Sequence, residues 1–390
     1  MTPGARAAAA IEILDLHLGG QPLEKALTNW ARRSRFAGSK DRAAIRDIVF
    51  DRIRSRASCA LRGGGLTGRG LVLGGFDLEM AQQMFTGEGH APSPLSAEET
   101  ARIDAPSSLP PEVTANLPPW LLAHFEAAFG DDMMPVCAAL TERAKVFVRV
   151  NLRKGDVEHA QSALAEDGIR AVAHPLCDSA LELTENPRKL AGSRAYLDGL
   201  VELQDVASQA VCAGLPDAQT MLDYCAGGGG KVLAYGARHD ARLFAHDGNP
   251  RRLKDLPERA ARAGVAVERL DDVQCTRKAP FDLVLCDVPC SGSGAWRRQP
   301  EGKWRLTPEA LEQLLALQRE ILDRAVSLVR PEGTLAYATC SVLRSENEDQ
   351  IAQFLDHNPE WAQSCSRRYS PLEGGDGFYV AHLTRRGSAS

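Results

Sequence analysis

Apolar residues recur at helical spacing through Ala7 to Leu18, Leu23 to Ser34 and Asp41 to Leu61, the last with Ile45, Ile48, Val49 and Ile53 on one face. These segments predict a small helical bundle. Gly63 to Gly75 is then rich in glycine, and His90 to Pro119 holds repeated prolines and small polar residues, the composition of a linker. An amphipathic helix is expected from Trp120 to Phe129. Between Phe147 and Leu200, short apolar runs alternate with a helical stretch around Val157 to Asp167, which suggests a small α/β subdomain.

From Thr220 onward a short apolar strand, a turn and an amphipathic helix repeat several times. The expected strands are Thr220 to Cys225, Leu243 to Asp247, Phe281 to Asp287 and Thr334 to Ala338. Between the last two, Thr307 and Pro308 fit the N-cap and first turn of a long helix that runs to about Leu328. This alternation implies an α/β fold with a mainly parallel sheet, covered on both faces, whose ligands bind beyond the C-terminal strand ends. The chain is thus divided into a helical domain over 1–90, a linker over 91–119, a small α/β subdomain over 120–200 and a larger α/β domain over 201–385.

A length of 390 residues fits two or three domains, and no apolar run approaches a membrane-spanning length. No membrane association is expected. Met1 to Ala10 lacks the apolar region and cleavage site of a secretory signal, so the expected compartment is the cytoplasm. The ten cysteines contain no Cys-x-x-Cys pair, which points away from a metal site; Cys59, Cys137, Cys177, Cys212 and Cys365 read as small buried apolar residues. A net charge of -5 argues against indiscriminate coating of nucleic acid. The N-terminal region is nonetheless basic: Arg32, Arg33, Arg35, Lys40, Arg42, Arg46, Arg52, Arg54, Arg56 and Arg62 face only Asp41, Asp47 and Asp51. That balance suits either a nucleic-acid surface or a solvated helical face.

Chemistry concentrates at the predicted strand ends. Asp223-Tyr224-Cys225-Ala226-Gly227-Gly228-Gly229-Gly230-Lys231 ends one strand and opens a helix, and its glycines let backbone approach a ligand. Val232 stands where a dinucleotide fingerprint needs glycine or alanine and a phosphate loop needs serine or threonine. Asp247, about 20 residues on at the next strand end, stands where an acid takes the hydroxyls of a ribose. A glycine turn and a ribose acid without a phosphate clamp suit S-adenosyl-L-methionine.

Asp287-Val288-Pro289-Cys290-Ser291-Gly292-Ser293-Gly294 follows the apolar run Phe281 to Cys286, and Ala338-Thr339-Cys340-Ser341 follows the strand that begins at Thr334. Ser345 with Glu348 is expected to form a capping box for the next helix. Two cysteines therefore leave neighbouring parallel strands on the same side, in polar turns rather than apolar runs. A thiol there suits methylation of a poor nucleophile such as carbon 5 of cytosine, because a thiolate that adds to carbon 6 makes carbon 5 enamine-like. An acid near ring nitrogen 3 would favour addition, and a base must remove the carbon 5 proton before the thiol leaves. Asp287 and Cys290 are the candidates.

On these residues the sequence resembles the RsmB/Nop2/Sun family of RNA cytosine-5 methyltransferases. The likeness includes Gln204 to Gln209, Cys225 to Lys231, Asp247 with Arg252-Leu253, Asp287 to Gly294, Tyr337 to Ser341 and Glu346-Asn347-Glu348, with Arg149-Val150-Asn151 in the preceding subdomain. Lys40-Asp41-Arg42 and Ile48 to Arg54 resemble the NusB-like RNA-binding domain of the bacterial ribosomal RNA members. The resemblance implies a Rossmann-like S-adenosylmethionine-dependent methyltransferase domain preceded by a small RRM-like α/β subdomain and a helical NusB-like domain. It also implies that Cys340 is the nucleophile and that Cys290 helps to release the product. Around the cofactor it places Cys225, Ala226, Gly227, Gly228, Gly229, Gly230, Lys231, Asp247, Asp287 and an acid near position 271, where spacing favours Asp271 over Asp272. The family usually has Ala-Pro where this chain has Gly227-Gly228.

The NusB-like likeness points to 16S ribosomal RNA as substrate, with a transfer RNA as the alternative and a monomer as the expected state. Just after the Cys290 loop, Trp296, Arg297, Arg298, Lys303, Trp304 and Arg305 could stack on unpaired bases and neutralise phosphates, with Trp304 equally suited to the core. An inactive RNA-binding ribosome-assembly factor would be favoured by the loss of Cys290 or Cys340, and both are present. A zinc cytidine deaminase would need Pro-Cys-x-x-Cys, whereas Pro289-Cys290 is followed by Ser291, Gly292 and Ser293.

Overall fold

The first helix, Pro3–Leu18, begins where the Thr2 side chain accepts a hydrogen bond from the Ala5 amide and proline occupies the first turn. Its apolar face, with Ala10, Ile13 and Leu14, packs on Trp30 of helix Leu23–Arg33 and on Ile45, Val49 and Ile53 of helix Ser39–Arg54. In the computed structural model, which describes residues 1–105 and 109–387, this bundle belongs to a unit formed by Met1–Arg143 and Trp296–Arg305. A second unit comprises Ala144–Ala295 and Leu306–Ser390.

Two stretches expected to be linker are folded parts of the first unit. Gly63 to Gly75 lies largely in helices Arg56–Gly63 and Gly68–Gly74, and Leu71, Val72 and Leu73 are each 0% exposed. The glycines mark a close crossing: a Cβ at Gly63 would overlap the Gly70 backbone, and one at Gly74 would overlap the Cys59 carbonyl. Within the proline-rich stretch, helix Ala97–Asp104 starts at a capping box between Ser96 and Glu99, and a short helix spans Pro111–Thr114. Positions 106–108 of that predicted linker lie outside the described residues. The expected helix after Trp120 forms at Leu122–Phe129.

The segment Trp296–Arg305 corrects a further expectation, because its tryptophans are packed in the protein. Trp296 is 1% exposed and stacks on Phe125 with ring centroids 6.0 Å apart. Trp304 donates from Nε1 to the Ile53 carbonyl at 2.7 Å, and buried Lys303 donates to the Arg54 carbonyl at 3.0 Å. Burial pushes the Lys303 ammonium down to about 7.

In the second unit, strands β1 (Phe147–Val150), β2 (Arg170–Ala173), β3 (Ala180–Glu185) and β4 (Val201–Leu203) make a sheet of order β2-β3-β1-β4, antiparallel throughout. The larger sheet contains β5 (Thr220–Asp223), β6 (Arg242–Ala245), β7 (Val267–Arg269), β8 (Phe281–Asp287), β9 (Val329–Thr339), β10 (Trp361–Tyr369) and β11 (Phe378–Arg385). Its order is β10-β11-β9-β8-β5-β6-β7, with β9 through β7 parallel and the last two strands of the chain antiparallel at one edge. That edge hairpin was not anticipated from the sequence pattern.

The centre of β8 is 0% exposed from Leu283 to Cys286, as expected of a strand covered on both faces. Connections run to opposite sides of β5, so β5 and β8 flank a topological switch point, where open α/β sheets bind ligands. Thr307 caps helix Pro308–Ala325 through the Ala310 amide, and a turn of tighter helix, Val326–Leu328, completes it. The predicted capping box of Ser345 with Glu348 does not form. Helix Glu348–His357 starts after Asn347 without a side-chain cap, Ser345 Oγ has no partner, and Glu348 pairs with Arg368 at 2.6 Å.

Candidate active site

After β5 the chain turns through Tyr224 to Gly229 into helix Gly230–Gly236. Gly227 and Gly229 have φ of +52° and +81°, a region that other L-residues rarely adopt. Cys225 is half-buried and its thiol is pushed up by burial, whereas Ala226 packs into the core. Buried Arg149 of β1 donates to the Gly230 carbonyl at 2.9 Å, and Arg259 donates to the Gly228 carbonyl, so both flanks of the turn are fixed. Lys231 is buried in the first turn of the helix and contacts Asp287 at 2.5 Å. Burial alone would lower its ammonium, but the Asp287 charge and hydrogen bond carry it above its ordinary range. Asp223 lies fully buried with neither carboxylate oxygen hydrogen-bonded; burial, then the Asp287 charge, push it up to about 7.

The acid after β6, Asp247, is 5% exposed and accepts from the amides of Gly227 and Asn249, each at 2.9 Å, with Arg252 at 3.2 Å. It therefore sits directly beneath the glycine turn. Asp271 caps helix Asp272–Lys278, and its carboxylate accepts from the Gln274 amide at 2.8 Å. The neighbouring Asp272 lines the cavity and lies 3.1 Å from His246 Nε2, so the wall acid is the residue that spacing had ranked second. His246 in turn stacks on Tyr224, with centroids 4.4 Å apart. Cys225, His246, Asp247, Asp272, Pro289 and Ile321 border a cavity of about 370 Å³ at the C-terminal strand ends. A larger open depression of about 680 Å³ lies at the opposite strand ends, lined by surface pairs such as His239 with Asp217, and carries none of these groups.

The loops after β8 and β9 bring the two cysteines together. Cys290 Sγ and Cys340 Sγ are 3.4 Å apart, both side chains half-buried. The Cys340 sulfur beside it, first, and burial, second, push the Cys290 thiol well above its usual range. Cys59, Cys137, Cys177 and Cys212 are buried, as expected, but Cys365 is exposed and lies 3.1 Å from His382 Nδ1. The sequence marked Glu346 only as part of the Glu346-Asn347-Glu348 likeness and gave it no role; it is 0% exposed directly behind the cysteine loops.

Parallel strands carrying a glycine turn after the first and an acid after the second define a Rossmann-like fold of the S-adenosylmethionine-dependent methyltransferase class. Two solved structures share this fold. One, PH0851, superposes over 99% of both chains with a TM-score of 0.76 at 23% identity. The other, a methyltransferase homolog protein from Pyrococcus horikoshii, covers 72% of this chain and 99% of its own with a TM-score of 0.62 at 22% identity. The family model for 16S rRNA methyltransferase RsmB/F matches residues 213–384, and that for the RsmF/B-like ferredoxin-like domain matches residues 117–188. Ribosomal RNA small subunit methyltransferase B of Erwinia tasmaniensis is 33% identical over 285 residues, and that of Klebsiella pneumoniae 31% over 286; each alignment covers 69% of this chain and 66% of the relative. The chain belongs to the RsmB/F methyltransferase family. It spans 66% of the length of these curated relatives.

Proposed function

We propose that the protein transfers a methyl group from S-adenosylmethionine to carbon 5 of a cytosine in 16S ribosomal RNA through a covalent bond from Cys340 to carbon 6. The observation that carries this reading is the meeting of two sulfurs at 3.4 Å at the ligand end of the sheet. The residues present fit the methyl donor. Positive φ at Gly227 and Gly229 leaves the backbone open for its amino-acid end, buried Asp247 suits the ribose hydroxyls, and Pro289 with Ile321 offers apolar cover for a base. When bound, S-adenosylmethionine supplies an electrophilic methyl group on a sulfonium.

Cys340 forms a bond to carbon 6 and makes carbon 5 electron-rich. The sulfurs lie within hydrogen-bond distance, so an S–H between them can stabilise charge that develops on the attacking sulfur. Asp287, which accepts from the Lys231 ammonium, relays a proton from it to ring nitrogen 3 as the bond to carbon 6 forms and returns it when that bond breaks. Once Cys340 is a thioether it carries no charge and is a poor acceptor, so the two influences by which it raises the Cys290 thiol disappear. Cys290 then gives its proton to solvent water and, as a thiolate, takes the carbon 5 proton, after which the bond from Cys340 to carbon 6 breaks and its electron pair returns to sulfur.

Incubation of unmodified 16S ribosomal RNA transcript with labelled S-adenosylmethionine, followed by bisulfite sequencing, tests the reading. Label confined to a cytosine that becomes resistant to bisulfite is expected. Label on another base, or none on 16S RNA when transfer RNA is labelled, would overturn it.

A further inference from the structure

The two cysteine loops are tied together behind the sulfurs by one buried carboxylate. Glu346 accepts from the Ser291 amide at 2.8 Å and the Ser291 hydroxyl at 2.5 Å, both on the Cys290 loop. It also accepts from the Ser341 hydroxyl at 2.5 Å, on the residue after Cys340. Gln318, from helix Pro308–Ala325, completes the set: its Nε2 lies 3.0 Å from Glu346 and 3.0 Å from the Pro289 carbonyl. Glu346, Ser341 and Gln318 are each 0% exposed. A buried carboxylate costs stability unless its oxygens are satisfied, and here four donors from three separate segments converge on it.

Around this centre the backbone is fixed as well. Tyr337 donates from its hydroxyl to the Glu346 carbonyl at 2.6 Å, and Asn347 donates to the Ser341 carbonyl at 3.0 Å. Ser293 Oγ lies 2.9 Å from Ser341 Oγ and accepts from the Val342 amide at 2.9 Å, a second strut between the loops. The sulfurs belong to different loops, so their separation depends on how the loops are registered rather than on either strand alone.

We propose that Glu346 is a positioning residue: by bonding Ser291 and Ser341 with one carboxylate, it sets the loops at the spacing that lets Cys290 and Cys340 act as a pair. It touches neither substrate nor sulfur in this arrangement. This rests on the two-cysteine reading above, but the register itself can be measured without methyl transfer.

Diamide accepts two hydrogens from a pair of thiols and joins them as a disulfide, at a rate that depends on how readily the sulfurs reach bonding geometry. Wild type, Glu346→Gln, Glu346→Ala and Ser291→Ala would be treated with diamide, and the Cys290–Cys340 linkage followed by peptide mass spectrometry. Melting temperature and S-adenosylmethionine affinity would be measured in parallel to identify variants that fail to fold. Glu346→Ala is expected to form the linkage roughly tenfold more slowly than wild type, the loss of a charged acceptor with several donors. Glu346→Gln, which keeps one acceptor oxygen, should recover part of the rate, and Ser291→Ala should fall between. A folded variant that binds the methyl donor normally and forms the linkage as fast as wild type would overturn the proposal; if Glu346→Ala does not fold, the Gln and Ser291 variants decide it. Slower linkage with unchanged methylation of 16S transcript would uphold the positioning role and refute the two-cysteine mechanism instead.

Discussion

The helical unit and the α/β unit both bury charged side chains, but to different ends. In the helical unit, Arg54 donates to the Arg297 carbonyl at 2.7 Å, Lys303 to the Arg54 carbonyl at 3.0 Å, and Arg52 lies over the Phe76 ring at 4.7 Å. These cations close packing between segments. In the α/β unit, Asp223, Lys231, Asp247 and Glu346 are buried at the C-terminal strand ends, around the cavity and the two sulfurs. Buried charge in one region holds the fold together, and in the other it gathers where the proposed chemistry takes place. A tally of basic residues in the sequence cannot separate these uses: of the cations first counted as a possible RNA surface, Arg52, Arg54 and Arg56 are committed to packing, while Arg32, Arg35 and Lys40 remain exposed.

If that contrast holds, the largest effect on stability should come from the helical unit. Trp296→Ala removes a ring that is 1% exposed and stacked on Phe125, and should destabilise the protein by ~3–5 kcal/mol in urea unfolding. A loss below about 1 kcal/mol would show the segment to be loosely attached. It also follows that removal of residues 1–90 is a poor test of RNA binding, because Trp304 would lose its partner at Ile53.

In the α/β unit the effect should fall on ligand rather than fold. Asp247→Ala should weaken S-adenosylmethionine binding by ~1.5–3 kcal/mol in calorimetry, while unfolding shifts less. Equal affinity for mutant and wild type would remove Asp247 from the cofactor site.

A smaller effect depends on pH. The Lys303 ammonium is lowered to about 7 by burial, so between that value and its unfolded value the unfolded chain binds more protons than the folded one. The penalty is complete below about pH 7 and is relieved as pH rises toward 10. Stability should therefore increase by about 1–3 kcal/mol between pH 7 and pH 9, and Lys303→Met should flatten that slope. An identical slope in the variant would place the titration elsewhere.

Legibility followed the range of the interaction. The alternation of strands and helices, the glycine turn and the cysteine loops are local patterns, and the structure places them where the pattern put them. What escaped depended on distant partners. Gly63 and Gly74 looked like linker because only the opposing helix reveals why a Cβ is forbidden there. Trp304 suited either bases or the core, and the sequence could not choose because its acceptor, the Ile53 carbonyl, is far away in sequence. Ser345 and Glu348 matched a capping spacing, yet Arg368 claims Glu348 from the neighbouring hairpin, and Glu346 binds the loops instead. The choice between Asp271 and Asp272 also needed three dimensions, since one begins a helix and the other faces the cavity.

The two-cysteine mechanism is the central claim, and the species trapped by each cysteine variant tests it most directly. Wild type, Cys340→Ala, Cys290→Ala and the double variant would be incubated with 16S transcript and S-adenosylmethionine, then run on a denaturing gel where a slow, nuclease-sensitive band reports covalent RNA. Cys340→Ala should give no band and no methylation, because the attacking sulfur is gone. Cys290→Ala should accumulate the band, because addition proceeds while removal of the carbon 5 proton and release are impaired. The double variant should match Cys340→Ala. A band from Cys340→Ala, or none from Cys290→Ala, would contradict the account.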